Sequence, residues 1–201
     1  MEIIPLITIK KHKLYINNNE KPITHQELQN HLKDQTEIYF LDLDGINKDK
    51  PNLCTFQKLS PRYDIWVDAG PRTIGDVVDL LMAGCTRMTI KNSLIKKEDL
   101  LKIKDLTENK IYLSLDPSEK YSSALPQGIE GYVAISQGSS IDKNFELRDM
   151  YKTATYSNTV YAVEPNIENL PFWEKLNIKG IIVNIKQIDK VKEKWTHNQE
   201  L

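Results

Sequence analysis

The sequence contains few of the features that define several large classes of protein. It has two cysteines, Cys54 and Cys85, and we expect each to be a small buried thiol rather than half of a disulfide or a reactive site. No apolar run approaches the roughly 20 residues that cross a membrane. The chain also starts with a strand pattern rather than a signal peptide, so a cytoplasmic protein without membrane contact is expected.

The charge is not biased towards one sign. Lysine and arginine number 27 against 28 aspartate and glutamate residues, so the formal net charge is −1. Binding to a nucleic acid backbone requires a basic face, and none is indicated here. We therefore expect no nucleic acid partner.

Metal and nucleophile motifs are also missing. No metal-ligand spacing links the histidines, so no metal site is predicted and each is expected on the solvated surface: His12, His25, His31 and His197. There is no G-x-S-x-G motif, and neither cysteine has a plausible histidine partner. Nucleophilic hydrolysis therefore lacks support.

What the chain does contain is a regular alternation of apolar strand runs and helical patterns. Eight strands are predicted at 2–9, 37–43, 64–70, 87–90, 110–116, 131–136, 159–164 and 180–185. Helices are predicted at 24–33, 52–59, 73–83, 97–107, 145–152, 167–176 and 188–197, with KLYI (13–16) as a small hairpin arm and DGINKDKP (44–51) as a loop. Within 117–128 at most a single helical turn is expected.

This order predicts one domain, 1–201, of the α/β class. A right-handed series of eight short βα units closes most economically into a compact (β/α)8 TIM barrel with trimmed loops. The alternative is an open doubly wound sheet, which usually binds a nucleotide through a Gly-rich first turn. No G-x-G-x-x-G follows any strand.

Carboxylates gather where the predicted strands end. Asp42 and Asp44 follow the second strand, Asp68 ends the third, and Asp116 ends the fifth, two residues after Ser114. In a barrel these ends form the active face, and crowded carboxylates raise one another's pKa towards neutrality, which suits proton transfer. The alternative for Asp44 and Asp68 is that they cap the helices that follow.

Several stretches together resemble the HisA/HisF family of histidine biosynthesis, above all its less studied archaeal relatives. They are MEIIPLITIKKHKLYI, FLDLDGI, VDAGPRTIGDVVDLLMAGCTRMTI, IYLSLD and ISQGSSIDKNFEL, in order over about residues 1–150. The resemblance implies a (β/α)8 barrel with isomerase or cyclase activity. It implies catalytic aspartates at the ends of the first and fifth strands. Asp116 matches the second of these, whereas the first falls on Thr8.

The family grips a substrate phosphate at each end with Gly-rich turns. At the third and fourth strands this chain keeps Gly70, Arg72 and Asn92 and gains Lys91, which the resemblance implies as phosphate contacts together with Thr8. At the seventh strand Glu164 stands where backbone amides would meet the anion, and the eighth strand lacks its glycine. A carboxylate in that place repels phosphate, so this second phosphate site is expected to be lost.

Two functions remain open from the sequence. One is a HisA/HisF-related enzyme that binds and isomerises a small phosphorylated metabolite, or performs lyase chemistry on it, with Asp116 and one of Asp42, Asp44 or Asp68 and with no cofactor. The other is a non-catalytic barrel acting as a partner or regulatory subunit, with a mouth plugged by Lys10, Glu164 and Lys186. Trp173 and Trp195 pack within the helix ring or form a surface that joins two subunits of a homo-oligomer.

Overall fold

The computed structural model describes residues 1–16, 21–32, 35–116, 125–136 and 145–198. The strands are β1 (Glu2–Lys10), β2 (Lys13–Tyr15), β3 (Glu37–Asp42), β4 (Asp64–Asp68), β5 (Cys85–Ile90), β6 (Lys110–Leu115), β7 (Gly131–Ile135), β8 (Thr159–Val163) and β9 (Gly180–Asn184). The helices are α1 (His25–Leu32), α2 (Leu43–Lys48), α3 (Leu53–Leu59), α4 (Ile74–Met82), α5 (Lys97–Leu106), α6 (Phe145–Ser157), α7 (Leu170–Lys175) and α8 (Ile188–Asn198). Short 3-10 turns lie at Ile167–Asn169 and Ile185–Gln187.

The sheet closes on itself. Strands β1 and β3 to β9 pair in chain order, each parallel to the next, and β1 also pairs in parallel with β9. Closure of eight parallel strands confirms the (β/α)8 barrel and excludes the open sheet. The turn expected within 117–128 lies mostly outside the described residues.

The hairpin arm at the start of the chain is confirmed. Strand β2 runs antiparallel to the end of β1, with Thr8 opposite Tyr15 and Lys10 opposite Lys13. Lys11 and His12 form the connecting turn with φ angles of 49° and 60°. The arm therefore extends one barrel strand beyond the closed sheet.

The predicted loop 44–51 is wrong, because its first part is helix α2. The Asp42 carboxylate accepts hydrogen bonds from the amides of Asp44 and Gly45, which caps the helix at its start. Asp49, with φ 56°, ends it in a left-handed conformation. Side-chain capping of this kind satisfies amides that have no partner within the helix.

Aromatic side chains fill the middle of the barrel. Neighbouring rings among Tyr39, Trp66, Tyr112 and Tyr161 have centroids between 4.6 and 5.5 Å apart. The Trp66 indole N–H donates to the Thr89 hydroxyl at 2.9 Å, so its polar group is satisfied inside the barrel. The interior is consequently a packed core that ends below the carboxyl ends of the strands.

The outer core lies between the strands and the helix ring. Trp173 is fully buried there, which confirms packing within the ring for this residue. Cys85 is buried as predicted, and burial raises the pKa of its thiol to about 12. Cys54 is exposed on α3, so the prediction of a buried thiol is wrong at this position. In the described part of the chain, no helix is both long and apolar enough to cross a bilayer.

Candidate functional site

The mouth of the barrel is formed by the last inward-facing residues of the strands. Inward and outward side chains alternate along each strand, and Trp66 and Thr89 fix which residues of β4 and β5 face the interior. Asp68 continues this face on β4 and is paired in register with Thr89. Lys91 directly follows the end of β5, Ser114 follows Tyr112 on the inward face of β6, and Asp116 directly follows the end of β6.

Lys91 and Asp116 form an ion pair across this mouth. The Lys91 Nζ lies 3.0 Å from Asp116 Oδ2. Their side chains are 26% and 14% exposed, so water only partly screens the pair. The two adjacent strands bring together an ammonium and a carboxylate that the sequence assigned to separate roles.

Ser114, which the sequence placed at the end of the fifth strand without assigning it a role, is a further polar residue of this site. The residue is 4% exposed, and among the described residues its Oγ has no hydrogen-bond partner. Its register next to Lys91 follows from the pairing of Ile90 with Leu113. A buried hydroxyl without a partner is unfavourable in itself and is suited to contact a ligand. Strand alternation from Tyr112 was the signal that identifies it.

The opposite side of the mouth is apolar. Leu41 stands beside Asp68 in register, Ile135 stands beside Val163, and both pairs continue the inward face of their strands. Together with Leu6 these side chains are only partly buried, and Leu6 and Val163 pack on the aromatic core. The mouth thus presents a polar half on β4 to β6 and a largely apolar half on the other strands, in which Thr8 near the end of β1 and Asn184 at the end of β9 are polar.

Asp42 and Asp44 belong to a different place, on the helix side of the barrel. Asn52 donates to Asp42 through its backbone N–H and its side-chain amide, each at 2.7 Å, and its amide also reaches Asp44. The His12 backbone N–H donates to Asp44 Oδ2 at 3.2 Å, and His12 Nδ1 lies 2.6 Å from Asn52 Oδ1. Asp42 rather than Asp44 therefore caps α2, and Asp44 lies in the first turn of that helix, where its carboxylate connects the hairpin turn to Asn52. His12 is exposed, as predicted, although its ring contacts Asn52.

The environments of these two carboxylates shift their pKa values in opposite directions. Burial raises the pKa of Asp42, although four hydrogen bonds oppose the shift. Burial also acts to raise the pKa of Asp44, but hydrogen bonds from His12, Asn52 and Lys48 outweigh it and lower the pKa. Across the described ranges, no three histidine, cysteine, aspartate or glutamate side chains are grouped to hold a metal ion.

Arg72 connects α2 to the end of β4. Its guanidinium donates to the carbonyl oxygens of Ile46 at 2.8 Å and Gly70 at 2.9 Å and to Asp49 Oδ1 at 2.8 Å. Gly70 has φ +61°, and a Cβ there would lie 2.9 Å from the Ile46 Cα. This geometry gives Arg72 and Gly70 a structural role in the junction. An anion contact by either residue stays a prediction.

Oxygen atoms of the chain itself occupy several places where an anion would bind. Asp76 Oδ2 accepts the backbone N–H groups of Arg72 and Thr73 at the start of α4. Glu164 accepts the Asn166 N–H and the Trp173 indole N–H. Amides at helix starts are the usual contacts of a phosphate, and here the protein's own carboxylates use them.

The remaining predicted residues lie around the mouth without forming a plug. Thr8 is buried near the end of β1, and Asn92 is exposed in the turn after β5. Lys10 and Lys186 are exposed, and the Glu164 carboxylate contacts Trp173 in the helix ring. The plugged mouth considered from the sequence is therefore not formed by these three side chains.

The fold and the site define a closed (β/α)8 barrel with its titratable groups at the carboxyl ends of the strands. The family described as "Histidine biosynthesis protein" matches residues 11–167. This chain therefore belongs to that family, the HisA/HisF family of the resemblance. The match begins after Thr8 and ends before β9. No individual curated protein matches the sequence.

Proposed function

We propose that this barrel is an isomerase that acts on a small phosphorylated carbonyl compound by acid–base chemistry and needs no cofactor. The observation that supports this most strongly is the ion pair between Lys91 and Asp116 at 3.0 Å in the mouth. Enolisation requires a base next to the acidic carbon and a positive charge beside the carbonyl group. This pair supplies both groups.

In this proposal Asp116 removes a proton from the carbon next to the carbonyl group, and Asp68 returns a proton to the same carbon from the opposite face, which inverts its configuration. Lys91 supplies the positive charge that stabilises the intermediate. Asp68 is the second carboxylate, because it lies on the inward face of β4, whereas Asp42 caps α2 and Asp44 lies in the first turn of that helix. The Ser114 hydroxyl contacts a polar group of the substrate.

The apolar half of the mouth supports the same chemistry. Leu6, Leu41, Ile135 and Val163 face the polar half and exclude water from one side of a bound substrate. A lower local polarity strengthens the interaction of Lys91 and Asp116 with developing charge.

The phosphate group in this proposal rests on the family resemblance. Asn92 and Gly70, which flank the ends of β5 and β4, are the proposed contacts, with Thr8 across the mouth. Because Asp76 and Glu164 already use the nearby amides, we expect one phosphate group rather than two. Comparing compounds with and without a phosphate group tests the proposed phosphate contact separately from the acid–base chemistry.

The experiment is exchange of carbon-bound protons with deuterated water, followed by NMR, for a panel of ribose, ribulose and triose phosphates and their unphosphorylated forms. We expect exchange with at least one phosphorylated compound. Asp116→Asn is expected to slow this exchange by about 10²–10⁴-fold, since it removes the base. The matched control is Asp79→Asn, which changes an exposed carboxylate on α4. Equal exchange in Asp116→Asn and the wild type would remove Asp116 from the mechanism.

A second candidate function is a non-catalytic partner or regulatory subunit. The occupation of amides by Asp42, Asp76 and Glu164 favours it, because a barrel that satisfies its own anion sites depends less on a ligand. Absence of both proton exchange and thermal stabilisation across the whole panel is the result expected for this function.

A further inference from the structure

Lys91 differs from the lysines that lie on the outer surface. Its side chain is 26% exposed, whereas those of Lys48 and Lys179, which also form ion pairs, are 56% and 58% exposed. It extends from the end of β5 along the same face as Thr89, which contacts the aromatic core. The amine is therefore held in the mouth rather than in bulk water.

The neighbours of this amine fit a nucleophile rather than a simple anion contact. Asp116 already balances the ammonium charge, so the pair offers little net charge to a phosphate. A nucleophile with a base within hydrogen-bond distance is the arrangement that covalent catalysis requires. Ser114, buried and without a hydrogen-bond partner among the described residues, lies next to Lys91 in register.

We propose that Lys91 forms a Schiff base with the carbonyl group of the substrate, an aldehyde or ketone. This deepens the proposed function and rests on it. The positive charge that stabilises the intermediate is then an iminium ion bonded to the substrate rather than a free ammonium ion.

The step balances without an oxidant or reductant. Asp116 accepts a proton from the Lys91 ammonium, and the neutral amine attacks the carbonyl carbon while the carbonyl π bond breaks. Proton transfer to oxygen gives a carbinolamine. The hydroxyl group then leaves as water after protonation by Asp116, and the lone pair on nitrogen forms the C=N bond. One ammonium and one carbonyl become one iminium and one water, so the net charge is unchanged.

The second half of the reaction uses these residues together with Asp68, the second carboxylate. Asp116, ionised again, removes a proton from the carbon next to the iminium, and the electron pair of that C–H bond neutralises the nitrogen to give an enamine. Ser114 donates a hydrogen bond to a hydroxyl group of the bound compound and holds it near Lys91. Asp68 returns a proton to the same carbon from the opposite face, which restores the iminium. Water then hydrolyses the C=N bond, which releases the epimer of the substrate and regenerates the amine.

The test is trapping with sodium borohydride, which reduces an iminium to a stable secondary amine. The protein is mixed with dihydroxyacetone phosphate, glyceraldehyde 3-phosphate, ribulose 5-phosphate or ribose 5-phosphate, reduced, and measured by intact mass and peptide mapping. We expect a single adduct at Lys91 with a mass increase equal to the compound less one oxygen atom. We expect the yield of this adduct to saturate as the concentration of the compound rises. The control variant Lys97→Met, on α5, is expected to form the same adduct.

Loss of the adduct in Lys91→Met is expected, with a thermal melt to check folding. A second variant, Lys91→Cys in a Cys54→Ser background, is treated with bromoethylamine to restore an amine at this position, and the adduct is expected to return. Cys85 is buried and is not expected to react. An adduct that persists in Lys91→Met overturns the proposal.

Proton exchange separates this inference from the proposed function. Exchange in the wild type without an adduct at Lys91 overturns the Schiff base and leaves acid–base isomerisation in place. Absence of both adduct and exchange with every compound overturns both. An adduct at Lys91 with exchange that is lost in Lys91→Met supports both.

Discussion

At the scale of single residues, Lys91 and Arg72 show how two cations at strand ends acquire different roles. Both follow a buried strand, and both were expected to contact phosphate. Arg72 donates to carbonyl oxygens of α2 and β4 and to Asp49, so its donors hold the backbone together. Lys91 instead forms an ion pair with Asp116 in the mouth. Its position, rather than its charge alone, makes it the candidate for chemistry.

Arg72→Lys separates charge from geometry. Lysine keeps the positive charge but lacks the planar fork that reaches several carbonyls at once. We expect the free energy of unfolding to fall by about 1–3 kcal/mol, since partly buried acceptors lose their donors. Chemical denaturation measures it, with Arg62→Lys on the exposed face as the matched control. Unchanged stability in Arg72→Lys would show that the junction does not depend on the guanidinium.

At the scale of elements, side-chain oxygens organise the starts of the helices. Thr24 and Glu27 form a capping box at the start of α1, in which Thr24 Oγ1 accepts from the Glu27 N–H and the Glu27 carboxylate accepts from the Thr24 N–H. A second box joins Thr73 and Asp76 at α4. Asp42 performs the equivalent role for α2 and, through Asn52, ties that helix to the start of α3.

Asp44 makes the stability of this region dependent on pH. Its pKa is lowered in the folded protein, so the folded state favours the ionised carboxylate. The stabilisation is complete above the unfolded pKa of about 3.9 and is lost as the pH falls through the lower folded pKa. Unfolding in urea between pH 7 and pH 3 measures this loss. We expect Asp44→Asn to show a weaker fall below about pH 4 than the wild type.

The control for this prediction is Glu146→Gln, which changes an exposed carboxylate on α6. It is expected to follow the wild-type curve. A curve for Asp44→Asn that is parallel to that of the wild type at low pH would contradict a linked role for Asp44.

How far the sequence predicts this structure depends on the range of the interaction. The barrel strands followed from local apolar runs, and their ends agree with the structure to within two residues. Helix α2 was missed because Gly45, Asn47 and two aspartates read as a turn, and the contact from Asn52 to Asp42 that fixes it spans ten residues. Local composition does not encode such a contact.

The sequence predicted which residues lie at the site, but it did not predict which of them contact one another. Asp116 and Lys91 were both named from strand ends. Their ion pair depends on the register between β5 and β6, which places residues 25 positions apart side by side. Asp42 and Asp68 look alike in sequence, yet one caps a helix and the other faces the barrel interior.

At the scale of the whole molecule, the aromatic core supports the mouth from below. Trp66 contacts the rings of Tyr39, Tyr112 and Tyr161, and the Arg87 guanidinium lies 5.4 Å from its ring centroid. Arg87 also pairs with Glu37 at 2.7 Å. The core therefore connects strands on different sides of the barrel. It also determines how far along the barrel axis the site lies.

Trp66→Ala is expected to reduce the free energy of unfolding by about 3–5 kcal/mol, because it leaves a cavity at the centre of the barrel. Trp66→Phe keeps most of the ring contacts but removes the indole N–H that donates to Thr89, so a smaller loss is expected. Trp195→Ala, on the half-buried face of α8, is the control. Equal losses at Trp66 and Trp195 would contradict a central role for this core.

The filled barrel has a kinetic consequence. Among the described residues, the aromatic core fills the barrel beneath Lys91 and Asp116, so a compound bound there cannot leave through the other end of the barrel. For the isomerase that we propose, substrate and product would therefore enter and leave from the same end and compete for the same free protein. We expect the product to act as a competitive inhibitor, and the net direction of the reaction to follow the ratio of the two compounds.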